Sequence, residues 1–163
     1  MMIKASLMIV NVPHASDSRE QQQAENSIRA LLVKEVGCPL AEETLSLGNG
    51  VMVKIDGVNH QRRVLCEIYS RIGKLKGSQP DKLASDMLKL LTVERVLGGN
   101  WRKVICFADS QAAKYVQGKS WLALTARQAE FDIVVVELSD SERHLISAAQ
   151  QRQVMVNSSV SES

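Results

Sequence analysis

Two neighbouring stretches limit the fold most. Val51, Val53 and Ile55 alternate through Val51-Met52-Val53-Lys54-Ile55-Asp56, which reads as a strand, and the apolar run Val64-Leu65-Cys66-Glu67-Ile68-Tyr69 reads as a further strand from about Arg63 to Ser70, with Val64, Cys66 and Ile68 on one face and Leu65, Glu67 and Tyr69 on the other. Asp56-Gly57 reads as the hairpin signal that closes the first. The period then changes. From Gln79 to about Leu97, Leu83, Met87, Leu90 and Leu91 recur at helical spacing, with Pro80 in the first turn and Gly98-Gly99 as a stop. A chain that moves from a sheet period to a helix period needs a sheet with helices packed on it.

The flanking sequence extends this pattern. A helix is predicted from Arg19 to Val36, opened by a Ser18/Gln21 capping box and ended by Gly37 and Pro39. A strand at Thr44–Leu47 precedes the Gly48-Asn49-Gly50 turn, Trp101 to Phe107 is a further strand, and Ser110 to Val116 a short helix. Phe131 to Leu138 reads as a strand buried on both faces, and Ser139 with Glu142 opens a last helix to about Gln151. Trp121 to Leu124 reads as packing around the sheet. The order helix, three strands, helix, strand, helix, strand, helix predicts an α/β protein: an antiparallel meander joined by right-handed crossovers to parallel strands, in a mixed sheet flanked by helices.

The chain has 163 residues, 45% of them hydrophobic, which suits one core without disulfides or structural metal. A single domain over residues 1–156 is expected, followed by a flexible polar tail, 157–163. A net charge of +2 excludes a polybasic arm or an acidic solvating chain, and 4% aromatic content argues against stacking platforms for single-stranded nucleic acid. Cys38, Cys66 and Cys106 lack zinc-ligand spacing, and the runs around Cys66 and Cys106 are those of buried, inert thiols rather than nucleophiles served by His14, His60 or His144. The apolar run Ala5 to Val10 is too short for a secretory core or a membrane span, so a cytoplasmic protein is expected.

Acidic residues carry the functional signal. Glu67 interrupts an apolar strand and Asp56 ends the preceding one, so hairpin pairing brings both carboxylates within reach of one ion; a charge inside a strand is costly unless paired or metal-bound. The alternative is a pairing of Glu67 with Arg63 or Lys54, with Asp56 a turn residue. On the following helix Gln79, Lys82, Asp86 and Lys89 share a stripe roughly 80° wide beside the apolar arc. That stripe suits either a cleft wall or a solvated flank with Lys82–Asp86 and Asp86–Lys89 pairs.

Together, Val53 to Val58, Val64 to Tyr69 and the run Gly73-Lys74-Leu75-Lys76-Gly77-Ser78-Gln79-Pro80-Asp81-Lys82, with Asp86 and Lys89, resemble the core of the PD-(D/E)XK (restriction endonuclease-like) nuclease superfamily, and the element order is similar to its αβββαβ core. The resemblance spans roughly residues 19 to 138. It implies that Asp56 and Glu67 hold Mg²⁺ or Mn²⁺, with Glu25 a looser match to the family's helical Glu. The family's strand Lys is replaced by Tyr69, and the resemblance implies that Gln79 and Lys82 stand in from the next helix, Lys82 as the catalytic cation. Mg²⁺ suits two carboxylates plus a substrate phosphate, and it activates water for attack on phosphorus.

Arg62, Arg63, Lys74, Lys76 and Lys89, with Arg102-Lys103, are candidate phosphate contacts. The expected activity is a metal-dependent endo- or exodeoxyribonuclease. The alternative is a nuclease-fold subunit that binds nucleic acid or a partner without cutting. Partners consistent with either are DNA and a homodimer or larger nucleic-acid-processing complex, with no membrane. A third reading is an interaction module in which Trp101, Trp121 and the apolar N-terminal run serve a dimer interface.

Overall fold

The computed structural model describes residues 15–161, with side chains placed for 19–155 and 157–159. The elements run α1 (Ala15–Val36), β1 (Ala41–Ser46), β2 (Met52–Asn59), β3 (Val64–Tyr69), α2 (Gln79–Leu97), β4 (Arg102–Phe107), α3 (Ser110–Gln117), α4 (Trp121–Gln128), β5 (Phe131–Val135) and α5 (Asp140–Ser161). The five strands form one open sheet in the order β1-β2-β3-β4-β5. β1, β2 and β3 are antiparallel neighbours; β3, β4 and β5 are parallel.

The two crossovers step the same way along the sheet, so a single handedness puts their helices on one face. On that face Leu83, Met87, Leu90 and Val93 of α2 pack with Ala113 and Val116 of α3, Leu122 and Ala126 of α4, and Leu65, Tyr69, Ile105 and Phe107 of the strands. Ala24, Ile28 and Leu32 of α1 and Ile146 of α5 cover the other face over Val64, Cys66, Val104 and Cys106. This is an α/β fold with a mixed sheet flanked by helices. The alternation of β3 is realised as expected, with Val64 and Cys66 facing α1 and Leu65, Glu67 and Tyr69 facing α2.

Several local expectations change. The turn between β2 and β3 lies at His60–Arg63, not at Asp56-Gly57. Gly57 instead sits inside β2, where a Cβ would meet the Cys66 Cβ at 3.3 Å and the Leu40 Cβ at 3.4 Å, so the tight space favours glycine. β5 is an edge strand, so Ile133 to Val135 are half-buried rather than covered on both faces. α1 starts at Ala15, which places Ser18 inside it rather than at its cap. Trp121 opens a helix, capped by Ser120, whose Oγ accepts from Ala123 N at 3.0 Å. The Ser139/Glu142 capping box is present, but α5 continues to Ser161 and takes in the first five residues of the expected tail. The apolar run Ala5 to Val10 and His14 lie outside the described residues. Among the described residues no helix is long and apolar enough to cross a membrane.

Candidate functional site

The site grows from an irregularity in β2. Ala41 pairs with Val58 and Glu43 with Ile55, so Asp56 and Gly57 together face the single residue Glu42: a β-bulge. β2 and β3 pair from Asn59–Val64 to Gly57–Cys66, and beyond that point the ladder opens. Asp56 fills the opening, its Oδ2 accepting from the Ile68 amide at 2.9 Å. From behind, Arg29 of α1 donates to the Asp56 carbonyl. Bulge and open ladder thus leave Asp56 beside Glu67 on the adjoining strand, close enough for its charge to disfavour that of Glu67.

α2 runs back along β3 and supplies the rest. The Tyr69 hydroxyl donates to Asp86 Oδ2 at 2.5 Å, and two residues back along the strand Glu67 Oε1 meets Lys89 Nζ at 2.8 Å. The same ammonium lies 3.3 Å from Asp86 Oδ1 and donates to the Lys54 carbonyl at 3.1 Å, so it has two ionic partners and one hydrogen bond. Lys82 Nζ reaches Asp86 Oδ2 at 3.0 Å and sits 4.8 Å from the centre of the Tyr69 ring. Tyr69 is itself stacked on Phe107, at 5.4 Å between centroids.

Charge in this cluster does not balance: Asp56, Glu67 and Asp86 face the ammonium groups of Lys82 and Lys89. Burial pushes the Glu67 carboxyl up to about 8, with the Asp56 charge adding to the rise and Lys89 opposing it. Burial disfavours the Lys89 ammonium too, yet Glu67 and Asp86 outweigh it and hold that group above its usual value. Upward is the direction for Glu67 in this pair, because Lys89 keeps Asp86 as a second anionic partner whichever state Glu67 adopts. Burial also works against the Asp86 carboxylate, but the donors Tyr69 and Lys82 bring it below the ordinary range. The Glu67–Lys89 contact is ionic without being an aligned hydrogen bond, so Glu67 Oε1 is a buried oxygen with no directed donor.

Asp56, Glu67 and Lys89 therefore come together, joined by Asp86. Lys82 does not reach Glu67. The resemblance implies it there as the catalytic cation, but α2 is antiparallel to β3, so the residue beside Glu67 lies two turns further along the helix. Lys89, expected as a phosphate contact, takes that place. Gln79 points to the loop 70–78, its Oε1 accepting from Lys76 N at 2.9 Å. Glu25 lies on α1, across the sheet, and accepts from Gln21 at 3.3 Å. Among the described residues no group of three or more His, Cys, Asp or Glu side chains is arranged to hold a metal ion.

The basic residues do not ring the acidic pair. Arg62 and Arg63 lie in the turn before β3 and Lys74 and Lys76 in the loop after it, about 20 Å apart along the six-residue strand. Arg102 is paired with Asp132, and Lys103 is buried against Glu94 at 2.9 Å. Cysteine chemistry finds no support: burial pushes the Cys66 thiol well above its usual value and that of Cys106 up to about 12, while His60 pairs with Glu43 at 2.9 Å.

Sequence reasoning passed over Asp86 as a site residue and missed the bulge. Asp86 did stand in the helix stripe, between two lysines; nothing in the order of residues marks Asp56-Gly57 as a bulge rather than a turn. Comparison of the chain with protein-family models, curated proteins and solved structures gives no match.

Proposed function

We propose that this chain is a nuclease-like protein with a restriction endonuclease-like αβββαβ core, hydrolysing phosphodiester bonds in DNA with the help of Mg²⁺ or Mn²⁺. The observation that carries the reading is the pair Asp56 and Glu67, held side by side where the β2–β3 ladder opens, with Lys89 on Glu67. A buried carboxylate oxygen without a directed donor, beside a second carboxylate, is a donor set suited to a hard cation that keeps several waters. Asp56 and Glu67 would hold the cation; when bound it makes water a better nucleophile and offsets charge on phosphorus.

The protein's own groups supply the rest. Lys89, fixed by Glu67, Asp86 and the Lys54 carbonyl, presents a positioned positive charge beside the carboxylates. Tyr69 and Lys82 hold Asp86, and through it the Lys89 ammonium, in place.

A second reading has its own observation. Lys89 already sits between Glu67 and Asp86 as the cation of both and is tied to the Lys54 carbonyl, as in a scaffold that binds nucleic acid or a partner subunit without cutting. One experiment separates the two: incubate the protein with single-stranded, duplex and branched DNA, with and without Mg²⁺ or Mn²⁺, beside Glu67→Ala and Lys89→Met. Cleavage that needs the metal and disappears in both variants supports hydrolysis. A melting temperature unmoved by either metal, with no cleavage above Glu67→Ala, sinks it in favour of the scaffold.

A further inference from the structure

At the carboxyl ends of the parallel strands the chain leaves β3 and β4 toward the α2–α4 face and leaves β5 toward α5 on the other face. Divergence of this kind opens a ligand crevice in α/β sheets. Here it contains a cleft of about 720 Å³ between loop 70–78, α3 and α5, within the range of roughly 300–1,000 Å³ usual for small-molecule sites. Three cations, Arg71, Lys74 and Lys76, line it, and no carboxylate does. None of the three forms an ion pair among the described residues. Like charges gathered without a counter-charge disfavour the folded state, and an anionic ligand relieves that cost.

The loop that carries them is fixed in advance. Gln150 receives the Ile72 amide at 2.8 Å and donates to the Ile72 carbonyl at 3.2 Å, Asp109 accepts from Gly73 N at 2.7 Å, and Gln79 accepts from Lys76 N. A ligand therefore pays little to order it. On the α5 side Val154, 63% exposed, and Met155 form an open apolar patch beside Ser147, Gln150 and Gln151, and the side-chain amides of Gln111 and Gln151 make no hydrogen bond among the described residues. Cations for phosphate, an apolar patch for a ring face and free amides for base edges belong to one ligand class.

We propose that this cleft binds a phosphate-bearing nucleotide unit, arriving either free or within a nucleic-acid strand. Only the strand source rests on the DNA reading above, since Arg71, Lys74 and Lys76 share no ion pair with Asp56 or Glu67.

The test is fluorescence anisotropy of a labelled oligothymidylate in EDTA, competed with thymidine diphosphate, on wild type, Lys74→Gln/Lys76→Gln, Val154→Asp and Glu67→Gln. The first two variants alter exposed side chains, and melting curves check that they fold as the wild type does. Binding is expected to weaken about tenfold or more in both, with a shallower salt dependence for the double variant, and to stay unchanged in Glu67→Gln. Full competition by thymidine diphosphate assigns the cleft to a free nucleotide, and absence of competition to a strand; both agree with the proposal. Wild type that binds neither probe, cleft variants within twofold of wild type, or a tenfold loss in Glu67→Gln would overturn it. Loss of cleavage with affinity retained in Glu67→Gln bears on the hydrolytic site alone.

Discussion

Glu67 and Asp109 are each only 3% exposed, yet Glu67 lies much deeper in the protein and their carboxyl groups are driven in opposite directions. Asp109, at the end of β4, accepts from the amides of Gly73 at 2.7 Å and Gln111 at 3.0 Å and faces Arg143 at 3.3 Å; burial opposes its charge, but these donors hold it below the usual carboxylate range. Glu67 has one ionic contact and two acidic neighbours, and it is pushed up to about 8. Surface exposure alone therefore does not separate the two acids; depth of burial and the number of donors do. A deeply buried carboxylate denied directed donors keeps coordinating capacity for something else.

The sharpest way to test that distinction is to remove the well-satisfied acid. Asp109→Ala strips the cap of α3 and leaves two amides and Arg143 unpartnered, so unfolding in urea is expected to show a loss of about 3 kcal/mol. A loss below about 1 kcal/mol would mean that the donors do not set its energetics. The buried pair Lys103–Glu94 is the intermediate case: Glu94 receives Lys103 on both oxygens at 2.9 Å and the Trp101 amide on one. Lys103→Met leaves a part-exposed carboxylate short of its partner and is expected to cost about 2 kcal/mol. Acid should act next. A carboxyl depressed in the folded state stabilises above its unfolded value, near pH 4, and that contribution fades as pH falls through the folded value. The gap in urea midpoint between wild type and Asp109→Ala should accordingly narrow below about pH 4; a gap that persists to lower pH contradicts the role of the charge.

Legibility in the sequence followed the same division. Periods of two and of three to four residues located the strands and helices because burial of one face imposes them, and the α2 boundaries Gln79 and Leu97 were readable from Pro80 and Gly98-Gly99. Glu67 stood out because a charge within an apolar strand is costly. What was not readable depends on register and direction. The bulge at Asp56-Gly57 arises from pairing with β1, and the choice of Lys89 over Lys82 arises from the antiparallel course of α2 along β3; neither leaves a local pattern. Asp109 passed unnoticed because an Asp before a helix is an ordinary cap, and its reach to Gly73 and Arg143 is tertiary.

Glu67→Gln is the smallest and most discriminating change. It keeps the shape of the side chain and makes permanent the neutral form that burial already favours near pH 7. Lys89 retains Asp86 and the Lys54 carbonyl, and the cost of burying a charged group beside Asp56 and Asp86 no longer arises as pH rises. Stability near neutral pH is therefore expected to hold or rise, by about 1 kcal/mol or less, where the same kind of substitution at Asp109 lowers it. Thermal melts of Glu67→Gln and Asp109→Asn in one buffer make the comparison direct. If Glu67→Gln is destabilised as much as Asp109→Asn, then Glu67 is a structural partner of Lys89, and its unsatisfied oxygen is no sign of a site. A melt that rises with the substitution while metal-dependent cleavage is lost would place the carboxylate where folding does not need it, which is the condition a catalytic group meets when its charge serves chemistry at the expense of stability.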